Sequence, residues 1–297
     1  MQAMIATLRD RSGVFETAFR NLREALEPAP RAPIRIADVS SALRTQMRVI
    51  FALILRETKS RYGKHRIGFL WALLDPLIAV SILVVIFTAL HQSDVNGMPL
   101  VLFMIVGYCF FSIFKDTHTQ MQGAIAQSRP LLAFPQVTTF DAILARGLLA
   151  AAVALTVFIV LLFLANLAGH DVHIERPLGV LMVCLLMFMT STGLGFVLAS
   201  LSPIIPSIQQ ISQQVLGRPL FYASGLFFTI DSFPPEIADV LLYNPLLHMV
   251  ELVRSEFFLE FETRHGSWLY ASSWSVGMLA LGLVMHKSLG GKAVVAK

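Results

Sequence analysis

An apolar run from Gly68 to Leu90, interrupted only by Asp75-Pro76 and the small polar residues Ser81 and Thr88, constrains this chain more than any other feature. A run of that length matches a helix crossing the hydrocarbon core of a bilayer, which takes about 20 residues. Directly before it stand Arg56, Lys59, Arg61, Lys64 and Arg66. Cations crowded at one edge of an apolar run mark the cytosolic side of a membrane. An acid and a proline a third of the way into the run are costly in lipid and ask for a functional reason.

The bulk composition agrees. Of 297 residues, 56% are hydrophobic and only 14% charged, against about 25% charged in soluble domains. The length accommodates around six spans of roughly 20 residues with their connections. The net charge of +4 is no signal for nucleic acid, because the cations sit beside a membrane segment rather than forming a soluble basic patch. Cys109 and Cys184 both fall in apolar runs and read as packed thiols, not a disulfide. No cleavable signal peptide is visible, since Arg9, Asp10, Arg11 and Glu16 are scattered through the first residues.

Read in order, residues 1–39 form a cytosolic arm ending in the stiff spacer PAPRAP, and residues 40–66 an amphipathic helix. In that helix Leu43, Met47, Ile50, Phe51, Ile54 and Leu55 recur at helical spacing, opposite Arg44, Arg48, Arg56 and Lys59. It is too charged to span and belongs in the headgroup layer, with a bend at Tyr62-Gly63. Residues 67–290 hold the transmembrane domain and 291–297 a cytosolic tail. The spans expected are 68–90, 99–114, 142–169, 178–201, 204–230 and 268–289, the fifth having a polar first half. Gly193, Gly195 and Ala199 in the fourth allow close helix approach. More than half of the 23 Lys and Arg residues precede the first span, and Lys115, Arg129, Lys287, Lys292 and Lys297 fall on the same side; Arg176, Arg254 and Arg264 fall on the other. The positive-inside rule then places both termini in the cytosol, which requires an even number of spans. The fold class is an all-α polytopic membrane protein with six spans and an interfacial helix before them.

Enzyme motifs are lacking: there is no HExxH, GxSxG or CxxC, and no GxxxxGK[ST] loop for nucleotide. His248 and Glu251 have helical metal-ligand spacing but no third ligand nearby, so no catalytic or metal site is assigned. What stands out is polar side chains inside a span. Gln210, Gln214, Arg218 and Tyr222 recur every four residues, one helical face, widened by Gln209 and Gln213. Two readings fit them. One is a ladder of interhelical hydrogen bonds. The other is the lining of a polar path, in which amides and phenols bond sugar hydroxyls and Arg218 meets phosphate or carboxylate. Tyr108, Phe110, Phe111 and Phe114 offer further rings, either for that path or for packed core. Asp75 is expected to pair with Arg146 or Arg218.

The stretch RETKSRYGKHRIGFLWALLDP (residues 56–76) resembles the signature of polysaccharide-type ABC-2 exporter permeases. RPLFYASGLFF (218–228) and YNPLLHMVELVRSEFF (243–258) are similar to stretches of the KpsM-type capsular polysaccharide export permeases. Asp75 stands where that family more often carries Glu, and the arm before Pro33 looks longer than usual. The resemblance implies the membrane subunit of an exporter of lipid-linked, anionic capsular polysaccharide across the bacterial inner membrane. It implies two copies of the chain with two ATP-binding cassette subunits that hold ATP and Mg²⁺, no cofactor in this chain, and a periplasmic adaptor and outer-membrane exporter beyond. It assigns a lateral entrance to Arg61, Tyr62, Lys64, Arg66, Trp71 and Asp75, and the glycan path to the fifth-span residues with Phe221. Coupling to the ATPase falls to the polar piece 117–127, with Thr117, Gln120, Gln122 and nearby Arg129. An outer gate of re-entrant helices within 231–266 falls to Asn244, His248, Glu251 and Arg254. The neighbouring readings are an O-antigen or teichoic-acid permease, and, from another class, a membrane enzyme acting on lipid-linked sugars. The enzyme would need a nucleophile or paired carboxylates facing one cavity, whereas the acids here are mostly isolated.

Overall fold

The computed structural model describes residues 36–62, 68–90, 94–132, 136–205 and 207–295. The chain divides into two compact units, Met1–Thr45 and Gln46–Lys297. In the first, the described residues are the beginning of helix α1, Ile36–Tyr62. In the second, the remainder of α1 exposes Met47, Phe51 and Leu55 while burying Ile50. All four belong to the apolar face the periodicity predicted, and Ile50 alone of them is buried.

Helix α2, Gly68–Ala89, carries Pro76 inside it. After it comes a small hairpin, Asp94–Val95 paired with Met98–Pro99. Its two-residue loop, Asn96-Gly97, has φ of 53° and 82°, the left-handed pair that a type I′ turn demands and that Asn-Gly supplies at least strain. Helix α3 follows at once as Leu100–Gln122, longer than the expected 99–114. The reason is that Lys115 to Gln122, although polar, contains no helix breaker. Thr119 returns its hydroxyl to Lys115 O at 2.7 Å, and His118 Nδ1 meets Phe114 O at 2.7 Å. Only at Gly123 does the helix end, and the short α4, Ala124–Gln127, turns away.

Helix α5, Thr139–Leu167, starts from a capping box in which Thr138 and Asp141 satisfy each other's backbone N–H groups. Helix α6 is Pro177–Leu201. The polar fifth segment forms α7, residues 208–223: α-helical at Ile208–Ser212, π-helical at Gln213–Gly217 and α-helical again at Arg218–Ala223. Pro219 explains the irregularity, because it has no N–H to return to the preceding turn, and a π-turn is one way a helix absorbs that loss. Helices α8, Pro235–Leu241, and α9, Pro245–Phe257, precede the last helix, α10, Trp268–Val295.

Five of these helices, α2, α3, α5, α6 and α10, are long and apolar enough to cross a membrane. Helix α3 is the hub, buried along most of its length and packed against α5 and α6. Helix α10 lies against α6, and the contact is as close as the small residues allow. A Cβ on Gly193 would run into the backbone of Met278, and one on Gly282 into the backbone of Gly193. Leu178, Leu181, Leu269 and Val284 remain exposed, as suits helices whose outer surface faces lipid rather than water. The chain is thus a polytopic helical membrane protein.

Candidate functional site: two polar cavities along helix α3

From Gln46 onward α1 is fastened to the bundle by polar contacts. Gln46 donates to Asp141 at 3.1 Å. Arg146, 5% exposed inside α5, meets the Glu57 carboxylate at 2.8 Å. Arg61 reaches both Glu57 at 3.5 Å and Gln120 of α3 at 2.5 Å. Arg146 is therefore not the partner of Asp75, which forms no ion pair among the described residues and is exposed on α2. The sequence-based pairing chose the wrong acid because it looked only within the spans. Glu57 is the one acid in the basic half of α1, and that isolation was the available signal.

Beside this fastening lies a cavity of about 150 Å³ between α1, α2, α3 and α5. Arg61, Asp75, Tyr108, Lys115, Asp116 and Gln120 line it. Two of the entrance residues, Arg61 and Asp75, thus share one space with Tyr108 of the expected path. Trp71 is 62% exposed on the outside of α2. Lys64, Arg66 and the side chain of Tyr62 lie outside the described residues.

A second cavity, of about 380 Å³, opens between α3 and α7. Lys115, Asp116, Gln213, Arg218, Phe221 and Tyr222 contribute to its wall. The π-turn decides which residues reach it. It breaks the every-fourth spacing, so Gln213, Arg218 and Tyr222 share the cavity, whereas Gln210 and Gln214 are exposed and take no part in its lining. Phe111 backs Phe221 edge-on at 5.5 Å between ring centres. Phe110 instead packs against Phe158 at 5.4 Å, in the core. Arg218 has no hydrogen bond or ion pair among the described residues, which leaves its guanidinium free for a ligand. Lys115 and Asp116 belong to both walls, and neither stood out in the sequence beyond the orientation signal of Lys115.

The polar piece at the end of α3 is less open than its composition suggests. Thr117 and Gln122 are fully buried, and Gln122 accepts from Ser212 of α7 at 2.9 Å. Gln120 is engaged with Arg61, so from this region Ala126, Gln127 and Arg129 are the exposed side chains.

At the other end of α3, the four residues of the expected outer gate lock neighbouring loop segments in place, with His248, Glu251 and Arg254 buried and Asn244 half-buried. Asn244 caps α9 by accepting from Leu246 N–H, and donates to Ala223 O and Ser224 Oγ at 3.1 and 3.0 Å. His248 places its ring between Leu242 O and Ser267 N–H, a structural use of both nitrogens. Glu251 accepts from Ile230 N–H at 3.2 Å and from the Thr263 hydroxyl at 3.1 Å. Arg254 donates to the carbonyls of Gly225, Leu226 and Phe228 at 2.6 to 3.1 Å, and its guanidinium lies 3.6 Å above the Phe103 ring. Gly225 at φ 73° turns the chain so that its carbonyl faces the arginine. Burial pushes the Glu251 carboxyl above its ordinary range, opposed by the nearby Arg254 charge. Burial likewise pulls Arg254 down, to about 9, which leaves it charged at neutral pH.

Comparison with known proteins places this architecture. The family model described as "ABC-2 type transporter" matches residues 48–258. The polysialic acid transport protein KpsM of Escherichia coli is 29% identical over 248 residues, 84% of this chain and 96% of the relative. The capsule polysaccharide export inner-membrane protein CtrC of Neisseria meningitidis serogroup B is 31% identical over 248 residues, covering 82% and 92%. The corresponding BexB of Haemophilus influenzae is 27% identical over 252 residues, covering 83% and 93%. The matched region runs from the fastened part of α1 through both cavities to the end of the Arg254 lock, and on that footing the chain belongs to the ABC-2 type transporter family.

Proposed function

We propose that the chain is the permease of an ATP-driven exporter that carries lipid-linked, anionic capsular polysaccharide across the bacterial inner membrane. The observation that carries this reading is coverage. Relatives named for polysialic acid transport or capsule polysaccharide export align over more than four-fifths of the chain. The aligned part includes cavities whose guanidinium, amides and rings suit an acidic sugar.

In this reading two copies of the chain act with two ATP-binding cassette subunits, which hold ATP and Mg²⁺, and an adaptor and outer-membrane exporter continue the route. Helix α7 is the fifth of six spans, both termini face the cytosol, and α8 and α9 are re-entrant helices near the outer face. Residues 40–66 act as the interfacial helix of the lateral entrance. Arg61 and Asp75 form the entrance wall, with Trp71 toward lipid, and Tyr108, Arg218, Phe221 and Tyr222 the path. The ATPase docks on the surface around Gln127 and Arg129, while Thr117, Gln120 and Gln122 transmit its movement from inside. Asn244, His248, Glu251 and Arg254 hold the outer gate.

Deleting the gene in its native host tests this reading. Polysaccharide is expected to build up inside the cell and vanish from the surface, with recovery on complementation. Unchanged surface polysaccharide overturns it.

A further inference from the structure

Lys115 and its neighbour Asp116 line both the 150 Å³ cavity that contains Arg61 and the 380 Å³ cavity that contains Arg218, and Lys115 is the cation of the two. Its ammonium stands 3.7 Å from its neighbour Asp116, and the two side chains are 41% and 46% exposed. An exposed pair at that separation is held weakly and opens at little cost. Lysine suits such a place better than arginine, because a compact ammonium on a four-carbon stem turns easily from one side to the other. Two arginines lie on either hand: Arg61, tied to Glu57 and Gln120, and Arg218, free of partners among the described residues. The two spaces also differ in what they can hold. The smaller suits a compact charged group, while the larger adds Phe221, Tyr222 and Gln213, which suit a sugar ring and its hydroxyls.

We propose that Lys115 contacts the transported molecule directly, taking an anionic group, carboxylate or phosphate, from the Arg61 cavity and passing it to the Arg218 cavity. Asp116 neutralises Lys115 when no anion is present, so the empty passage does not trap stray anions. The proposal rests on the export reading above and assigns to it a residue that orientation alone would otherwise explain.

The test uses the full chain with its ATPase subunit in phosphatidylcholine nanodiscs. Binding of fluorescent tetragalacturonate is compared with that of neutral maltotetraose. The acidic oligomer is expected to bind about tenfold more tightly or better, with Lys115→Gln erasing the preference and Lys115→Arg keeping most of it. Asp116→Asn is expected to tighten acidic binding. Adding phosphatidylglycerol identifies the source of the anion. Competition that depends on Lys115 assigns the site to a lipid phosphate, and lack of competition assigns it to the sugar carboxylate. An acidic preference that survives Lys115→Gln, or none in the wild type, overturns the relay. So does wild-type surface polysaccharide in Lys115→Gln cells, an outcome that leaves the export reading standing. That reading falls separately if deleting the gene leaves surface polysaccharide untouched.

Discussion

The guanidinium of Arg146 in α5 lies 2.8 Å from the carboxylate of Glu57 in α1, with both side chains largely withdrawn from solvent. Two helices of different character, one amphipathic and one long and apolar enough to cross a membrane, are joined by this pair. Arg61 then extends the link to Gln120 of α3.

Removing Glu57 leaves the Arg146 charge buried alone, which costs about 3–5 kcal/mol, whereas removing Arg146 leaves Glu57 only its longer contact with Arg61. Glu57→Gln and Arg146→Met are each expected to lower the unfolding temperature of the purified chain and expose α1 to protease. The double change to Leu at both positions should be milder than either single change. A double variant as damaged as the worse single would show that the pair is not the link.

Arg254→Lys is expected to free the 224–230 loop. Lysine keeps the charge but cannot reach three carbonyls and the Phe103 face together, and each hydrogen bond from a charged group is worth about 1.5–3 kcal/mol. Gly107→Ala should give the same defect from the other side, since its Cβ would meet the Arg254 guanidinium. Cysteines placed at Phe227 or Phe228 should label faster in both variants. Unchanged labelling would remove the lock from the account.

Glu251 gives a pH dependence of definite sign. Folding raises its pKa, so the folded state holds the proton more tightly than the unfolded chain does. Its contribution is fully present below the ordinary carboxylate pKa and is lost as pH rises through the folded value. Glu251→Gln should therefore flatten the fall in stability on going from acid to neutral pH. A difference between wild type and variant that grows toward acid pH in favour of the variant would reverse the assignment.

Gly193→Val is expected to part α6 from α10 and cost at least the roughly 1–3 kcal/mol usual for overpacking. Gly277→Val on α10, where a Cβ meets nothing within 4 Å, is the control and should be close to neutral. Equal effects at both positions would contradict the close helix contact.

Much of this molecule was legible before its structure. The long apolar runs marked α2, α3, α5, α6 and α10, because hydropathy over twenty residues is a strong signal with few rivals. Gly193 marked its own helix contact. Local chemistry that depends on partners was harder to read. The every-fourth stripe from Gln210 to Tyr222 assumed a regular α-helix, and Pro219 replaced part of it with a π-turn that kept Gln213 and Arg218 at the cavity and left Gln210 and Gln214 out. Thr117 and Gln122 fell in the polar piece that the resemblance gave to ATPase coupling, yet both are buried against neighbours the sequence does not place beside them. The Glu57–Arg146 pair joins residues far apart in the chain, and the isolation of Glu57 among cations marks one partner without naming the other.

Photo-crosslinking in exporting cells tests the central claim most directly. A photoreactive amino acid at Tyr222, on the wall of the larger cavity, should capture polysaccharide, detected as a ladder of glycan-bearing chain. The same group at Leu269, 81% exposed on the outer surface of α10, should capture lipid or protein and no glycan. Glycan adducts at both positions, or at Leu269 alone, would contradict a path through the Arg218 cavity.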